Sequence, residues 1–153
     1  MLTKSKKINI VNSLDSWFVP KKKIVDIMRF VADLLKIDGE LDLLLTDDKT
    51  IRKYNKRYRS IDRATDVLSF SVSDNGFVLP EEKVFGNIII SWEQLKLDTR
   101  EFEVDIDEMM ARLIIHSVLH LSGYDHIEEK QRKEMQKEET RLLNLYKERL
   151  TLV

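Results

Sequence analysis

Residues 105–123 restrict the possible folds of this chain more than any other segment. Asp105 and Glu108 have the spacing of a capping box, and Gly123 is of the residue type that often follows a helix, so one helix is predicted between them. Apolar side chains lie nearly all the way round it: Met109, Met110, Leu113, Ile114, Ile115, Val118, Leu119 and Leu121. Such a pattern is typical of a helix that is buried at the centre of a fold.

The rest of the chain predicts a small sheet with helices around it. Apolar runs predict strands at residues 7–11, 40–46, 67–72 and 85–91. Further helices are predicted from Pro20 to the stop at Asp38-Gly39, from the cap Asp47 to about 58, over 92–101 and over 128–149. In the last of these, the residues expected against the body are Met135, Leu142, Leu145 and Tyr146. Strands and helices do not alternate strictly, so the predicted class is α+β, a small mixed sheet of about four strands packed with five or six helices.

Composition limits the kind of protein and the kind of site. A chain of 153 residues without repeats or linkers favours one domain over residues 1–153. No apolar run reaches the roughly 18 residues of a membrane span, and the first ten residues lack a signal-peptide pattern, so we expect a cytoplasmic protein without a membrane partner. The chain has no Cys, which excludes disulfides and thiolate metal sites.

All three histidines fall within eleven residues, at His116, His120 and His126. The first two are four apart and share one helix face, and Gly123 lets the chain turn so that the third can reach the same ion. Three protein ligands with an open fourth position are typical of a catalytic zinc site, in which bound water supplies hydroxide. The alternative is a pair of hydrogen-bonded core histidines. Asp125 is a candidate partner of an imidazole or a proton shuttle, and equally a simple turn residue.

The same spacing occurs in metzincin proteases, which need a Glu directly after the first His as general base. Here that position is Ser117, which cannot act as a base near neutral pH. A protease is therefore disfavoured.

The segment 49–63 is strongly basic within a chain of net charge −1. It has seven Lys or Arg against the single acid Asp62, a local charge of +6, and it contains Tyr54 and Tyr58, which could stack on bases. The alternative is a solvated helix face. With a metal site, the segment favours a phosphodiester substrate, with Arg59 as the candidate for stabilising phosphate charge. The candidate RNA-binding residues are Arg52, Lys53, Lys56, Arg57 and Arg63.

Three stretches resemble one known family. HSVLHLSGYDH is similar to the H-G-x-L-H-L-x-G-Y-D-H signature of the YbeY endoribonucleases, NKRYRSIDRATDVLSF resembles their T-D-V-L-S-F segment, and GNIIIS resembles their G-D-I-x-I-S strand. The resemblance covers roughly residues 5–150. Ser117 stands for the usual Gly and Asn87 for the usual Asp, so any role that needs charge at position 87 is in question.

The resemblance implies one Zn²⁺ on His116, His120 and His126, on a zincin-like helix, and a functional Arg that matches Arg59. It also implies cleavage of single-stranded RNA, maturation of the 3′ end of 16S rRNA, and ribosome quality control. The implied partners are precursor rRNA, the small ribosomal subunit and its associated factors.

We therefore predict a zinc-dependent endoribonuclease with His116 and Arg59 as catalytic residues. Zinc hydroxide, Asp125 and the RNA 2′-OH all remain candidates for the general base. One alternative is another zinc hydrolase, such as a phosphatase or protease. The other is a ribosome assembly factor whose zinc is structural.

Overall fold

A computed structural model describes residues 7–71, 84–124 and 127–151 of the chain. Four strands lie in this part, β1 (Ile8–Asn12), β2 (Glu40–Thr46), β3 (Val67–Ser71) and β4 (Val84–Ser91). The helices described are α1 (Lys21–Leu34), α2 (Asp48–Arg59), α3 (Trp92–Phe102), α4 (Ile106–Leu121) and α5 (Glu129–Thr151).

The strands form one mixed sheet in the order β1-β2-β4-β3. Strand β1 is parallel to β2 and β2 is parallel to β4, whereas β3 is antiparallel to β4 and forms an edge. The predicted α+β class with a four-stranded mixed sheet is confirmed.

One face of the sheet, called the inner face below, lies against α1 and α4. Alternate strand residues point to opposite faces, and the inward set includes Leu41, Leu43 and Leu45 of β2 and Ile88 and Ile90 of β4. These residues join the buried side chains of α1, α4 and α5 in the main core. The all-round apolar pattern of the helix at 105–123 therefore reflects its place between the sheet and other helices.

The opposite, outer face is partly covered by α2. Ile51 of this helix packs with Leu68, Phe70 and Ile89 in a second, smaller cluster. Beyond this cluster the outer face carries polar or exposed side chains, such as Asn87 and Val11.

Several predicted boundaries shift by one or more residues. Helix α1 ends at Leu34, before the predicted stop at Asp38-Gly39, and Lys36 takes a left-handed conformation with φ 54°. The predicted end of the third strand at Val72, and the loop after it, lie outside the described residues. In α5, Leu143 packs against the main core where Leu145 was expected. None of the helices described is long and apolar enough to span a membrane.

Candidate metal centre and nucleic-acid interface

Helix α4 carries a narrow accessible stripe on an otherwise buried surface. The side chain of Asp105 caps the helix by accepting a hydrogen bond from the backbone N–H of Glu108 at 2.8 Å. Between residues 111 and 120, every side chain is buried except Arg112, His116 and His120. These three are spaced four apart, so they follow one another along one helix face. The two histidines on helix α4 are thus brought together, as the spacing predicted.

The end of α4 that carries His120 lies close to the sheet. A side chain at Gly86 of β4 would place its Cβ 2.6 Å from Leu121 Cδ1, which is closer than real Cβ contacts. Glycine at this position therefore sets how near the helix can approach the strand. Beyond the helix, Gly123 has φ 105° and turns the chain out of the helical path.

Glu139 of α5 holds the ring of His116. Its Oε1 lies 2.6 Å from His116 Nδ1, with both side chains partly exposed. This hydrogen bond raises the pKa of His116, burial opposes the shift, and the negative charges of Glu139 and Asp66 add to it. Because Glu139 contacts Nδ1, a bond from this ring to a metal ion would be made by Nε2. A carboxylate on the far nitrogen is the usual support of a metal-bound imidazole.

The third predicted ligand, His126, and its neighbour Asp125 lie outside the described residues. Among residues 7–71, 84–124 and 127–151, no group of three His, Cys, Asp or Glu side chains could hold a metal ion. The donors among the described residues, two imidazoles on one helix face with a carboxylate behind the first, fit a zinc site that needs one more ligand.

Asp66, whose charge acts on His116, forms an acidic pair with Asp98. Burial raises the pKa of Asp98 to about 7, and its hydrogen bond with Asp66 and the charge of that residue add to the shift. A hydrogen bond between two carboxyl groups needs a proton on one of them, and the raised pKa assigns it to Asp98. The negative charge of Asp66 also raises the pKa of His116, so Asp66 stabilises the protonated form of that histidine.

Arg59 ends helix α2 and is held against the edge strand β3. Its guanidinium donates a hydrogen bond to the Ser69 carbonyl at 2.8 Å and stacks over the Phe70 ring, 4.9 Å from the centroid. Helix α4 packs against the same strand. Arg59 and the histidine helix therefore meet at β3, although no described contact joins Arg59 to His116.

The other basic residues of segment 49–63 cover the surface of α2 and the turn after it. All seven Lys and Arg side chains are exposed, and the buried residues of α2 are Ile51 and Asn55. Asp62 pairs with Arg52 at 2.8 Å and lies 3.9 Å from Lys56. The predicted RNA-binding residues thus form one exposed cationic surface, which we call the basic face.

Two residues beside the stripe were not singled out by their sequence. Glu139 is one of several acids on a charged helix, and nothing in the pattern distinguishes the one that meets His116. Asp98 likewise looks like an ordinary helix acid. The position of Asp66 directly before a strand is typical of a turn residue. Pairing two carboxyl groups from distant parts of the chain depends on the tertiary fold.

Comparison with known proteins gives consistent matches. The family model described as endoribonuclease YbeY matches residues 4–147. The protein named endoribonuclease YbeY of Treponema denticola is 41% identical over 129 residues, 80% of this chain and 83% of the relative. That of Caldicellulosiruptor saccharolyticus is 37% identical over 150 residues, 90% of this chain and 95% of the relative. A Thermotoga maritima protein whose structure was solved in solution is similar with a TM-score of 0.58 and 27% identity, over 90% of this chain and 86% of that chain.

Proposed function

Because this chain belongs to the YbeY endoribonuclease family, we propose that it cuts single-stranded RNA with a zinc ion held by His116, His120 and His126. The observation that carries the proposal is the histidine stripe of α4 with Glu139 behind it. A buried helix does not need two adjacent imidazoles for packing, and a carboxylate on Nδ1 orients His116 for a ligand on Nε2.

Each residue of the site has a separate task in this proposal. When bound, zinc acts as a Lewis acid on a phosphate oxygen and lowers the pKa of water. Glu139 fixes the ring of His116, and the close contact of Gly86 with Leu121 fixes the helix end near His120. Rigid support matters because a metal ligand has to stay within a few tenths of an ångström of its position.

Arg59 is proposed to stabilise negative charge on the phosphate. Its contacts with the Ser69 carbonyl and the Phe70 ring hold the side chain in place. A guanidinium is suited to such a role because its planar donors match the oxygens of a phosphate. The basic face, with Arg52, Lys53, Lys56, Arg57 and Arg63, would attract the RNA backbone from a distance.

The burial of Ser117 bears on the protease alternative. Its side chain has no exposed surface, so it cannot reach a water molecule beside the histidines. A zincin protease needs a carboxylate at that position. These residues suit phosphodiester cleavage better than peptide cleavage, because Arg59 can stabilise negative charge on the phosphate oxygens.

We place this activity in the cytoplasm, on precursor rRNA bound to the small ribosomal subunit. The expected substrate is the 3′ end of 16S rRNA, with ribosome quality control as the wider role. These assignments follow from family membership and from the single-stranded, anionic substrate that the basic face favours.

The proposal is tested by comparing cleavage of one RNA in its single-stranded form and as a duplex. We expect the wild-type chain to cut the single strand, and both His116→Ala and His120→Ala to leave it intact. Arg112→Ala is the matched control, because Arg112 lies on the same stripe one turn away and is not a proposed ligand. The control should cut as the wild type does.

A second pair of variants tests the phosphate role. Arg59→Glu should reduce cleavage about 100-fold, as expected when one charged donor to the transition state is lost. Arg100→Glu makes the same charge change at an exposed position on α3 and should have little effect. Wild-type protein that holds zinc but leaves RNA intact would contradict the proposal and favour an assembly factor with structural zinc.

A further inference from the structure

A groove on the outer face of the sheet has no role in the function proposed above. Its volume is about 510 Å³, which lies within the roughly 300–1,000 Å³ typical of small-molecule sites. Aromatic side chains of α2 and β3 form one wall, and polar and apolar side chains of the strands form the floor. The lining residues that matter below are Tyr54, Tyr58, Phe70, Asn9, Asp42 and Asn87.

The wall is a run of three aromatic rings. Tyr54 and Tyr58 are stacked, with centroids 6.1 Å apart and planes at 16°, and Tyr58 meets the edge of Phe70 at 5.3 Å. Phe70 is 4% exposed, whereas Tyr58 is 42% exposed. The buried ring therefore fixes the wall in place while Tyr58 offers an aromatic surface to solvent. A fixed, accessible ring of this kind is what a nucleobase stacks on in proteins that bind single strands.

The polar part of the floor is one row of side chains that runs straight across the sheet. Asn9 of β1 is in register with Asp42 of β2, Asp42 with Asn87 of β4, and Asn87 with Phe70 of β3. Asn9 Nδ2 donates to Asp42 Oδ1 at 2.8 Å, and Asn87 is exposed. Two amides and a carboxylate thus stand beside the aromatic wall. These are the groups that read base edges: an amide donates and accepts, and a carboxylate accepts from an exocyclic amino group.

Positively and negatively charged side chains lie beside different parts of the groove. Arg57 stacks over the Tyr58 ring at 5.3 Å, and Arg59 stacks over Phe70, so guanidinium groups lie along the aromatic wall. Asp42 on the floor would repel a phosphate but not a neutral base. A nucleotide therefore fits with its base in the groove and its phosphate at Arg57, and this charge complementarity favours RNA over a protein partner.

We propose that the groove binds one unstacked base of the substrate RNA, on the exposed ring of Tyr58, with its edge toward the row Asn9, Asp42 and Asn87. The proposal rests on the proposed function, because it takes single-stranded RNA as the substrate. It adds a specificity site on the opposite face of the sheet from the histidines. Since Asp42 accepts hydrogen bonds, the site prefers bases with an exocyclic amino group, such as cytosine and adenine, over uracil.

The test measures binding of short single-stranded oligonucleotides to the purified full chain by fluorescence anisotropy. The probes are 2′-O-methyl homopolymers of cytosine, adenine and uracil, which resist attack by the 2′ oxygen. We expect the wild type to bind the cytosine and adenine probes more tightly than the uracil probe. Tyr58→Ala should weaken binding of the preferred probes at least about fivefold, as expected for the loss of one stacked base.

Two control variants separate stacking from general effects. Tyr58→Phe keeps the ring and should bind as the wild type does. Trp17→Ala removes an aromatic side chain that is 43% exposed outside the groove, and should also leave affinity unchanged. Asp42→Asn should reduce the difference between the cytosine and uracil probes.

Cleavage kinetics give a second readout. Because the groove lies away from the histidines, Tyr58→Ala should raise KM for single-stranded RNA and leave kcat nearly unchanged. If the wild type cuts RNA but Tyr58→Ala binds and cuts it equally well, the groove proposal is wrong and a protein-docking role becomes the better explanation. If the wild type neither binds nor cuts RNA, the proposed function itself fails.

Discussion

The two faces of the sheet are covered to very different extents. On the inner face, Leu43 and Ile90 are at most 2% exposed beneath α1 and α4. On the outer face, α2 buries the small cluster around Ile51, and Val11 of the edge strand β1 is 61% exposed. The same strands supply both faces, because successive side chains point in opposite directions.

One small sheet can therefore serve two purposes. The inner face anchors α4 firmly, and a firm helix is what a pair of metal ligands needs. The outer face has polar side chains and an open groove, which packing alone does not require. We therefore propose that the inner face supports the metal site on α4 and that the outer face binds the substrate.

The largest difference in stability between the two faces is expected for substitutions of two neighbouring leucines on β2. Leu43→Ala removes a buried inner side chain and should lower the free energy of unfolding by about 2–5 kcal/mol. Leu44→Ala acts on a half-buried outer residue and should cost about 1 kcal/mol. Urea unfolding of both variants measures the difference. Equal losses would show that the two faces contribute alike to stability.

The contact between Gly86 and Leu121 offers a second test of the inner face. Gly86→Ala forces a methyl group against Leu121 and should cost about 1–3 kcal/mol, with a matching loss of RNA cleavage as the end of α4 moves. The double variant Gly86→Ala with Leu121→Ala makes room for the methyl group. It should recover part of the activity lost in the single variant. A single variant with wild-type stability and cleavage would show that this contact does not position the helix.

The paired carboxyl groups predict a dependence of stability on pH. The pKa of Asp98 is raised in the folded state, so the folded chain binds more protons than the unfolded chain between about pH 4 and pH 7. Stability from this pair is therefore present at low pH and lost as the pH rises through about 7. Because Asp98 is only half-buried, we expect a change of about 1 kcal/mol.

Asp98→Asn removes this titration. Relative to the variant, the wild type should be more stable at pH 5 than at pH 8, which urea unfolding at both values measures. Parallel pH profiles for the two proteins would show that the proton on Asp98 does not contribute to folding.

The smallest expected effect is a gain in stability within the inner core. The Ser117 hydroxyl is buried and has no hydrogen-bond partner among the described residues. Ser117→Ala removes that unsatisfied group and improves helix propensity, so the free energy of unfolding should rise by about 0.5–1 kcal/mol. Ser122→Ala is the matched control, since Ser122 Oγ donates to the Val118 carbonyl at 2.7 Å. A loss of stability in Ser117→Ala would indicate that the hydroxyl has a partner.

Much of the inner face could be predicted from the sequence, because its signals are local. The apolar ring around α4, the cap at Asp105 and the turn at Gly123 are each visible within a few residues. Predicted features that depend on strand alternation, such as Leu41, Leu43 and Leu45 on one side of β2, were confirmed for the same reason. The helix stop at Asp38-Gly39 was wrong because the chain turns earlier, at Lys36, which adopts a conformation rare for this residue type.

The outer groove and the support of His116 could not be predicted, because both depend on distant segments. The row Asn9, Asp42, Asn87 and Phe70 exists only once four strands are ordered and in register. Glu139 meets His116 because α5 packs on α4 at a particular rotation. The ligand role of His126 stays a prediction, as do the catalytic roles of His116 and Arg59.

The central claim is that the histidine stripe of α4 holds the zinc ion that RNA cleavage needs. The most direct test strips the purified chain of metal with a chelator and titrates zinc back while following both bound metal and cleavage of single-stranded RNA. We predict that cleavage returns in proportion to bound zinc and saturates at about one ion per chain, and that His120→Ala recovers neither. Full cleavage by the metal-free chain, or by His120→Ala without bound zinc, would contradict the claim.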